Sequence, residues 1–318
     1  MKKSIGIDVS CKNLDVFIKY GSKRNVINQF PNTQNSAKKI ARLGDENTIF
    51  TMEATGIYHL TLAKALYEAG CKVSVVNPIK IKRYAEMKML RAKTDKIDAR
   101  IIAEYGYTME PDLFKPRTEL EEQIRSMSKM IESLIKMQTK LKNQRHSLKK
   151  NPYKVDYSIR AIENTLKTIK EEIKKLEKEI DKKIREGFAE ENEKVDPVFG
   201  VGKRIKSIIF GHLRGFKDFE NVKQVSAYVG LNPSIKQSGS SVRGKGNISK
   251  KGNKYIRSMF YMATVSAIVR NPQCKKYYNR LIAKGKLPMV AMTATANKLL
   301  KIVFAIVKYK RDYDPNYC

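Results

Sequence analysis

The first stretch of the chain alternates between two hydrophobic periods. Residues 4–9 (Ser-Ile-Gly-Ile-Asp-Val) are apolar and β-branched with a carboxylate near the end, which predicts a strand. Residues 14–20 set Leu14, Val16 and Ile18 against polar neighbours, the period of two of a half-buried strand. Residues 25–30 read as a third short strand ended by Pro31-Asn32, and residues 36–43 as a short helix. A fourth strand over 48–53 runs into Thr55-Gly56, and a helix over 58–68 is stopped by Gly70 at a C′ position. Residues 71–76 make a fifth strand, ended by Asn77-Pro78.

After Pro116 the period lengthens. Ile124, Met127, Ile131, Leu134, Leu141 and Leu148 follow a heptad spacing with Gln138 and Arg145 as polar interruptions. Asn151-Pro152 breaks that helix, and Ile162, Leu166, Ile169, Ile173, Leu176, Ile180 and Ile184 define a second seam flanked by Lys and Glu. Two such helices predict an antiparallel coiled-coil hairpin with arms on the order of 40–50 Å. From Val198 on the pattern is helical with Gly-rich joints: helices over 254–269 and 289–309, and a Gly, Ser, Lys and Arg-rich loop over 230–252. The expected fold is therefore α/β plus all-α, in three pieces at 1–115, 116–194 and 195–318. Three strands, helix, strand, helix, strand is the element order of a ribonuclease-H-like sheet.

Charge narrows the partners. The 318 residues carry 64 Lys+Arg against 32 Asp+Glu, a net charge of +32. Polyanions neutralise such a surplus best, by giving up condensed counterions, so nucleic acid is the expected partner. A Lys-rich proteome would raise Glu along with Lys. No apolar run reads as long enough to span a bilayer, and residues 1–3 lead straight into a strand, so neither a membrane partner nor a signal peptide is expected. Cys11, Cys71, Cys274 and Cys318 have no paired metal spacing, and His59, His146 and His212 share no helix face. That disfavours a zinc site and a disulfide framework and fits a reducing cytoplasm.

Four carboxylates carry the candidate chemistry. Asp8 sits on the first strand beside Gly6, and Glu53 ends the strand expected next to it. Asp95 and Asp98 are three apart, on one side of a helix for which Thr94 stands at the N-cap position. Each acid has a plainer role open to it: Asp95 as a first-turn helix acid, Glu53 as a surface strand end. Together they offer the hard oxygen ligands that Mg²⁺ takes in phosphoryl chemistry.

These residues lie in motifs. Gly6 to Ser10 (Gly-Ile-Asp-Val-Ser), Met52 to Gly56 (Met-Glu-Ala-Thr-Gly) and Lys93 to Ala99 (Lys-Thr-Asp-Lys-Ile-Asp-Ala) resemble the three acidic motifs of the insertion sequence 110 family of transposases. Ala227 to Pro233, Gln237 to Gly239 and Ile248 to Asn253 resemble that family's C-terminal motifs. The likeness spans nearly the full chain. It departs at Phe199-Gly200-Val201-Gly202, where the family usually has Pro first. The resemblance implies a Holliday-resolvase-like N-terminal domain, a helical C-terminal transposase domain and Mg²⁺ dependence. It further implies a serine working with the acidic site, and a structured noncoding guide RNA that pairs with donor and target DNA.

By motif match that serine is Ser238, with Ser240 and Ser241 close enough to leave the register open. The cations that follow, Arg243, Lys245, Lys250, Lys251, Lys254 and Arg257, are the expected nucleic-acid contacts. The plainer reading of Gln-Ser-Gly-Ser-Ser is a flexible linker. The leading expectation is an RNA-guided DNA recombinase acting as a homodimer or homotetramer. Its rivals are a metal-dependent junction resolvase with no covalent serine step, and a non-catalytic RNA-binding scaffold.

Overall fold

The structure is a computed structural model. It describes residues 3–316 apart from 22, 55, 90–94, 154, 235–236, 239–241, 244–246 and 250–251, and the side chains of 23–27, 95–96, 234, 237–238, 242–243 and 247 also lie outside the description. The chain divides into two compact units, Met1–Pro116 and Arg117–Cys318.

The first unit is mixed α/β. Its strands are β1 (Lys3–Val9), β2 (Asn13–Tyr20), β3 (Lys23–Pro31), β4 (Thr48–Glu53) and β5 (Lys72–Val76). Its helices are α1 (Gln34–Ala41), α2 (His59–Glu68), α3 (Pro78–Met87) and α4 (Asp95–Met109). The sheet order is β3-β2-β1-β4-β5, with β1 antiparallel to β2 and parallel to β4. Strand alternation sends Ile5, Ile7, Leu14, Val16, Phe50 and Met52 into a core shared with Ile40 of α1 and Leu62, Ala63 and Leu66 of α2. The opposite face lies under α4, where Phe17 meets Ala99 and Ala103. Local chemistry fixes helix ends: Thr33 accepts from the Ser36 N–H at the start of α1, and Gly70 leaves α2 at φ +78°.

One helix runs against the sequence expectation. Asn77-Pro78, read as a strand terminator, is also a helix start: Asn77 Oδ1 accepts from Ile79 N at 2.9 Å and Pro78 occupies the first turn of α3, where its missing N–H costs nothing.

The second unit opens with two long helices, α5 (Glu119–Leu148) and α6 (Asp156–Gly187). They run antiparallel, since Arg145 Nη1 donates to Glu163 Oε1 near the turn and Gly187 abuts Leu120 at the other end. The seam read from sequence is the buried one: Ile124 and Ile131 of α5, and Ile162, Ile169, Ile173, Ile180 and Ile184 of α6. A capping box between Thr118 and Glu121 starts α5. Glu121 is fully buried and also accepts from Arg214 Nε at 3.1 Å and Lys217 Nζ at 3.3 Å.

Next come α7 (Ala189–Val195), α8 (Lys203–Ser207), a π-helical turn (Ile208–His212), a 3₁₀ turn (Arg214–Phe216) and α9 (Val222–Val229). The segment read as loop holds two short antiparallel pairs, β6 (Pro233–Ser234) with β9 (Asn247–Ile248), and β7 (Gln237–Ser238) with β8 (Val242–Arg243). Helices α10 (Lys254–Arg270), α11 (Pro272–Ala283) and α12 (Pro288–Tyr309) complete the unit.

Sequence reading saw no apolar run of bilayer length, yet α12 is one helix among the described residues long and apolar enough to cross a membrane. Here it is a core helix: Leu299, Leu300, Val303, Phe304 and Ile306 are buried among Phe216, Phe260 and the hairpin isoleucines.

Candidate active site

The carboxylates of the first unit are organised by the register of β1. Gly6 pairs with Thr51 and Ile7 with Met52, so Asp8 and Glu53 are the next residues on adjacent parallel strands. Alternation puts Ser4, Gly6 and Asp8 on one face together with Thr51 and Glu53. Helix α4 covers that face. A Cβ at Gly6 would meet Ala103 N at 2.2 Å and Ala99 O at 2.3 Å, and one at Gly106 would meet Thr51 Oγ1 at 2.1 Å and Ser4 Oγ at 2.9 Å. Moving up α4 from Ala99 to Gly106 thus means moving back along β1 from Gly6 to Ser4. The helix runs opposite to the strand, and its first turn, with Asp95 and Asp98, lies toward the strand end that carries Asp8. Asp95 precedes Ala99 by four residues, roughly 6 Å along the axis, and Asp8 lies about the same distance beyond Gly6.

Asp8, Glu53 and Asp98 are half-buried. The side chain of Asp95 and the whole of Thr94 lie outside the described residues. Among the described residues no group of three His, Cys, Asp or Glu is close enough to hold a metal ion. The carboxylate oxygens of Asp8 and Glu53 on this face are the chemistry a hard divalent cation takes.

Sequence reading missed a fifth carboxylate. Asp15 pairs with Asp8 across β1 and β2, is buried, and accepts from Gln29 Nε2 at 3.1 Å. In sequence it is only one polar position in an alternating strand, and register alone sets it beside Asp8. The rim beyond the strand ends is tied by Asn32, whose Nδ2 donates to Ser10 O at 3.0 Å and Tyr58 O at 3.4 Å.

In the second unit, Ser238 ends β7 and pairs with Val242, while Gln237 pairs with Arg243. Ser240, Ser241, Lys245, Lys250 and Lys251, together with the side chains of Ser238 and Arg243, lie outside the described residues. The base of this segment is well defined. Ser249 Oγ donates to Asn232 Oδ1 at 2.8 Å, and Asn253 caps α10 by accepting from Ile256 N at 3.1 Å. Gly252 takes φ +147° against Tyr228 O, where a Cβ would come within 2.3 Å. Lys254 is exposed. Arg257 donates to Val229 O at 3.0 Å, so one of its N–H groups ties α10 to the end of α9.

Two family models match the chain: one described as Transposase over residues 5–150, and one described as Transposase IS116/IS110/IS902 family over residues 192–279. The chain belongs to the IS110 family of transposases. A pilin gene-inverting protein of Moraxella bovis is 28% identical over 98% of both chains, and that of Moraxella lacunata is equally similar. An insertion element IS110 protein of Streptomyces coelicolor is 25% identical over 34% of this chain and 27% of its own length. The first model spans Asp8, Glu53, Asp95 and Asp98, and the second spans Ser238 and its following cations. The transposase is thus a DNA-rearranging enzyme whose substrate is DNA.

Proposed function

We propose that this transposase cuts and rejoins DNA strands through a ribonuclease-H-like carboxylate site and a serine nucleophile. Asp8, Glu53, Asp95 and Asp98 would hold Mg²⁺, and Ser238 would attack the scissile phosphodiester. The observation that carries the reading is the closure of α4 on Gly6, with the helix running against β1. It brings the motif around Asp95 and Asp98 toward the strand ends that bear Asp8 and Glu53. The sheet order supports the same reading.

Bound Mg²⁺ would supply Lewis-acid stabilisation of the phosphate charge. The Ser238 hydroxyl forms a bond to phosphorus while one sugar oxygen leaves with the proton that the serine gives up. The phosphoserine ester keeps the bond energy and the strand end until a sugar hydroxyl from the partner strand reverses the step. Arg243, Lys245, Lys250, Lys251 and Lys254 hold the phosphates alongside. Inversion, the role in the Moraxella proteins' name, cuts and rejoins strands of two duplex sites, and a retained ester suits such an exchange. Two sites also call for at least two copies, so a homodimer or homotetramer is the working assembly, with the α5–α6 hairpin as its coiled-coil contact. An element-encoded RNA guides the choice of donor and target. The pieces 1–115, 116–194 and 195–318 then divide carboxylate chemistry, assembly and serine chemistry among themselves.

The test is a denaturing assay for covalent protein–DNA product. Wild type should give an adduct and Ser238→Ala none. An adduct that persists in that variant but is lost in Ser240→Ala or Ser241→Ala moves the nucleophile. Cleavage with no adduct from any variant or wild type overturns the serine step and leaves a metal-only resolvase.

A further inference from the structure

Away from the carboxylates and the Ser238 segment, a group of cations gathers at the base of α5. Arg117, Arg125 and Lys129 lie within electrostatic reach of one another. Glu122 lies 3.4 Å from Arg117 Nε and 2.7 Å from Arg125 Nη1. Arg125 and Lys129 are one helical turn apart on the same face. Lys129 is exposed and makes no ion pair among the described residues. Among the other acids, Glu121 pairs with Arg214 and Lys217 and Asp218 with Arg214, while Glu132 pairs with Lys136 and also acts on Lys129. Among the described residues three cations thus face two carboxylates, Glu122 at ion-pair distance and Glu132 farther off.

The floor beneath them is built. Gly211 in the π-helical turn packs directly on the α5 backbone, where a Cβ would meet Arg125 N at 2.8 Å. That close approach sets His212 beneath the cations. His212 is 8% exposed, its Nε2 has no hydrogen-bond partner, and its ring lies 6.1 Å from that of Tyr255. Burial first, then Arg125, Lys129 and Arg117, push its pKa down to about 3, so it is neutral and adds no charge of its own. Burial and the neighbouring cations also draw Arg117 and Lys129 below their ordinary values, with Glu122 opposing. Arg117 also lies in the field of Tyr228, whose carbonyl accepts from Asn253 N at 3.2 Å.

Like charges held together in partial burial cost free energy unless an anion joins them. Guanidinium forks match the oxygens of a phosphodiester, and an ammonium one turn along the helix adds a point charge. We propose that Arg117, Arg125 and Lys129 form a phosphate-binding site for the backbone of the DNA substrate, distinct from the basic segment after Ser238. Glu122 holds the two guanidiniums in place and offsets part of their charge. The site requires only that DNA is bound, and stands or falls independently of the serine chemistry.

The test is fluorescence anisotropy of a labelled DNA duplex with the full chain, over a range of salt and without divalent metal, so that cleavage does not enter. Each lost phosphate contact lowers the salt slope by about 0.9 and weakens binding at physiological salt by roughly five-fold. Lys129→Gln should show one such loss, and Arg125→Gln with Lys129→Gln about two. Glu122→Gln should tighten binding, a change that a folding defect cannot produce. Lys167→Gln with Lys170→Gln removes the same charge from exposed positions of α6 and serves as the reference. The proposal is overturned if the α5 double variant matches that reference in slope and affinity. It is also overturned if Lys129→Gln leaves binding at the wild-type level, a variant that removes no ion pair and so puts the fold at little risk.

Discussion

Gly6→Ala tests the packing that organises the acidic motifs. The added Cβ would lie 2.2 Å from Ala103 N and 2.3 Å from Ala99 O, where ordinary contact begins at 3.4 Å. Both obstacles are backbone, so no side chain can swing aside. Helix α4 must withdraw from β1 by about 1 Å, or the strand must buckle by as much. Overpacking of this kind costs about 1–3 kcal/mol. In a unit of this size that lowers the melting temperature by several degrees, at about 4–8 °C per kcal/mol. The same movement carries the first turn of α4 away from Asp8 and Glu53, and a misplacement near 1 Å costs on the order of 100-fold in rate. The assays are thermal melting by circular dichroism and strand cleavage under single-turnover conditions. Gly202→Ala is the control, because nothing lies within 4 Å of a Cβ there. A Gly6→Ala protein that melts and cleaves like wild type would refute the claim that close backbone contact between α4 and β1 positions the site.

Asp8→Asn should abolish cleavage while melting within a few degrees of wild type, because the substitution is isosteric; retained cleavage would remove Asp8 from the site. Glu121→Gln should destabilise the second unit by about 3–5 kcal/mol, since it breaks a buried ion pair, with denaturant unfolding as the measure. Burial opposes the Glu121 charge, but the Thr118 N–H, Arg214 and Lys217 together hold its carboxyl below the ordinary 4.5. Its stabilisation is therefore complete above about pH 4.5 and is lost as pH falls through the lower folded value. The deficit of the variant should accordingly shrink in acid, and a gap independent of pH would refute that assignment.

Much of this protein could be read locally. The five strands follow from alternation and from punctuation at Pro31, Gly56, Gly70 and Pro78, because strand period and turn chemistry act within a few residues. The hairpin seam follows in the same way, since buried isoleucines at heptad spacing need only one helical face to declare themselves. The acidic motifs were likewise legible as residue patterns in order. Other features depend on which surfaces the fold presses together. Helix α3 escaped because Pro78 ends a strand and starts a helix with the same restricted φ. The small strand pairs around Ser238 escaped because two-residue strands carry no period. Asp15 became Asp8's neighbour only through the register of β1 and β2. Arg125 met His212, 87 residues away in the chain, only because Gly211 lets two backbones touch. Such contacts are set by close packing between distant segments, and a local pattern of polar and apolar residues holds no record of them.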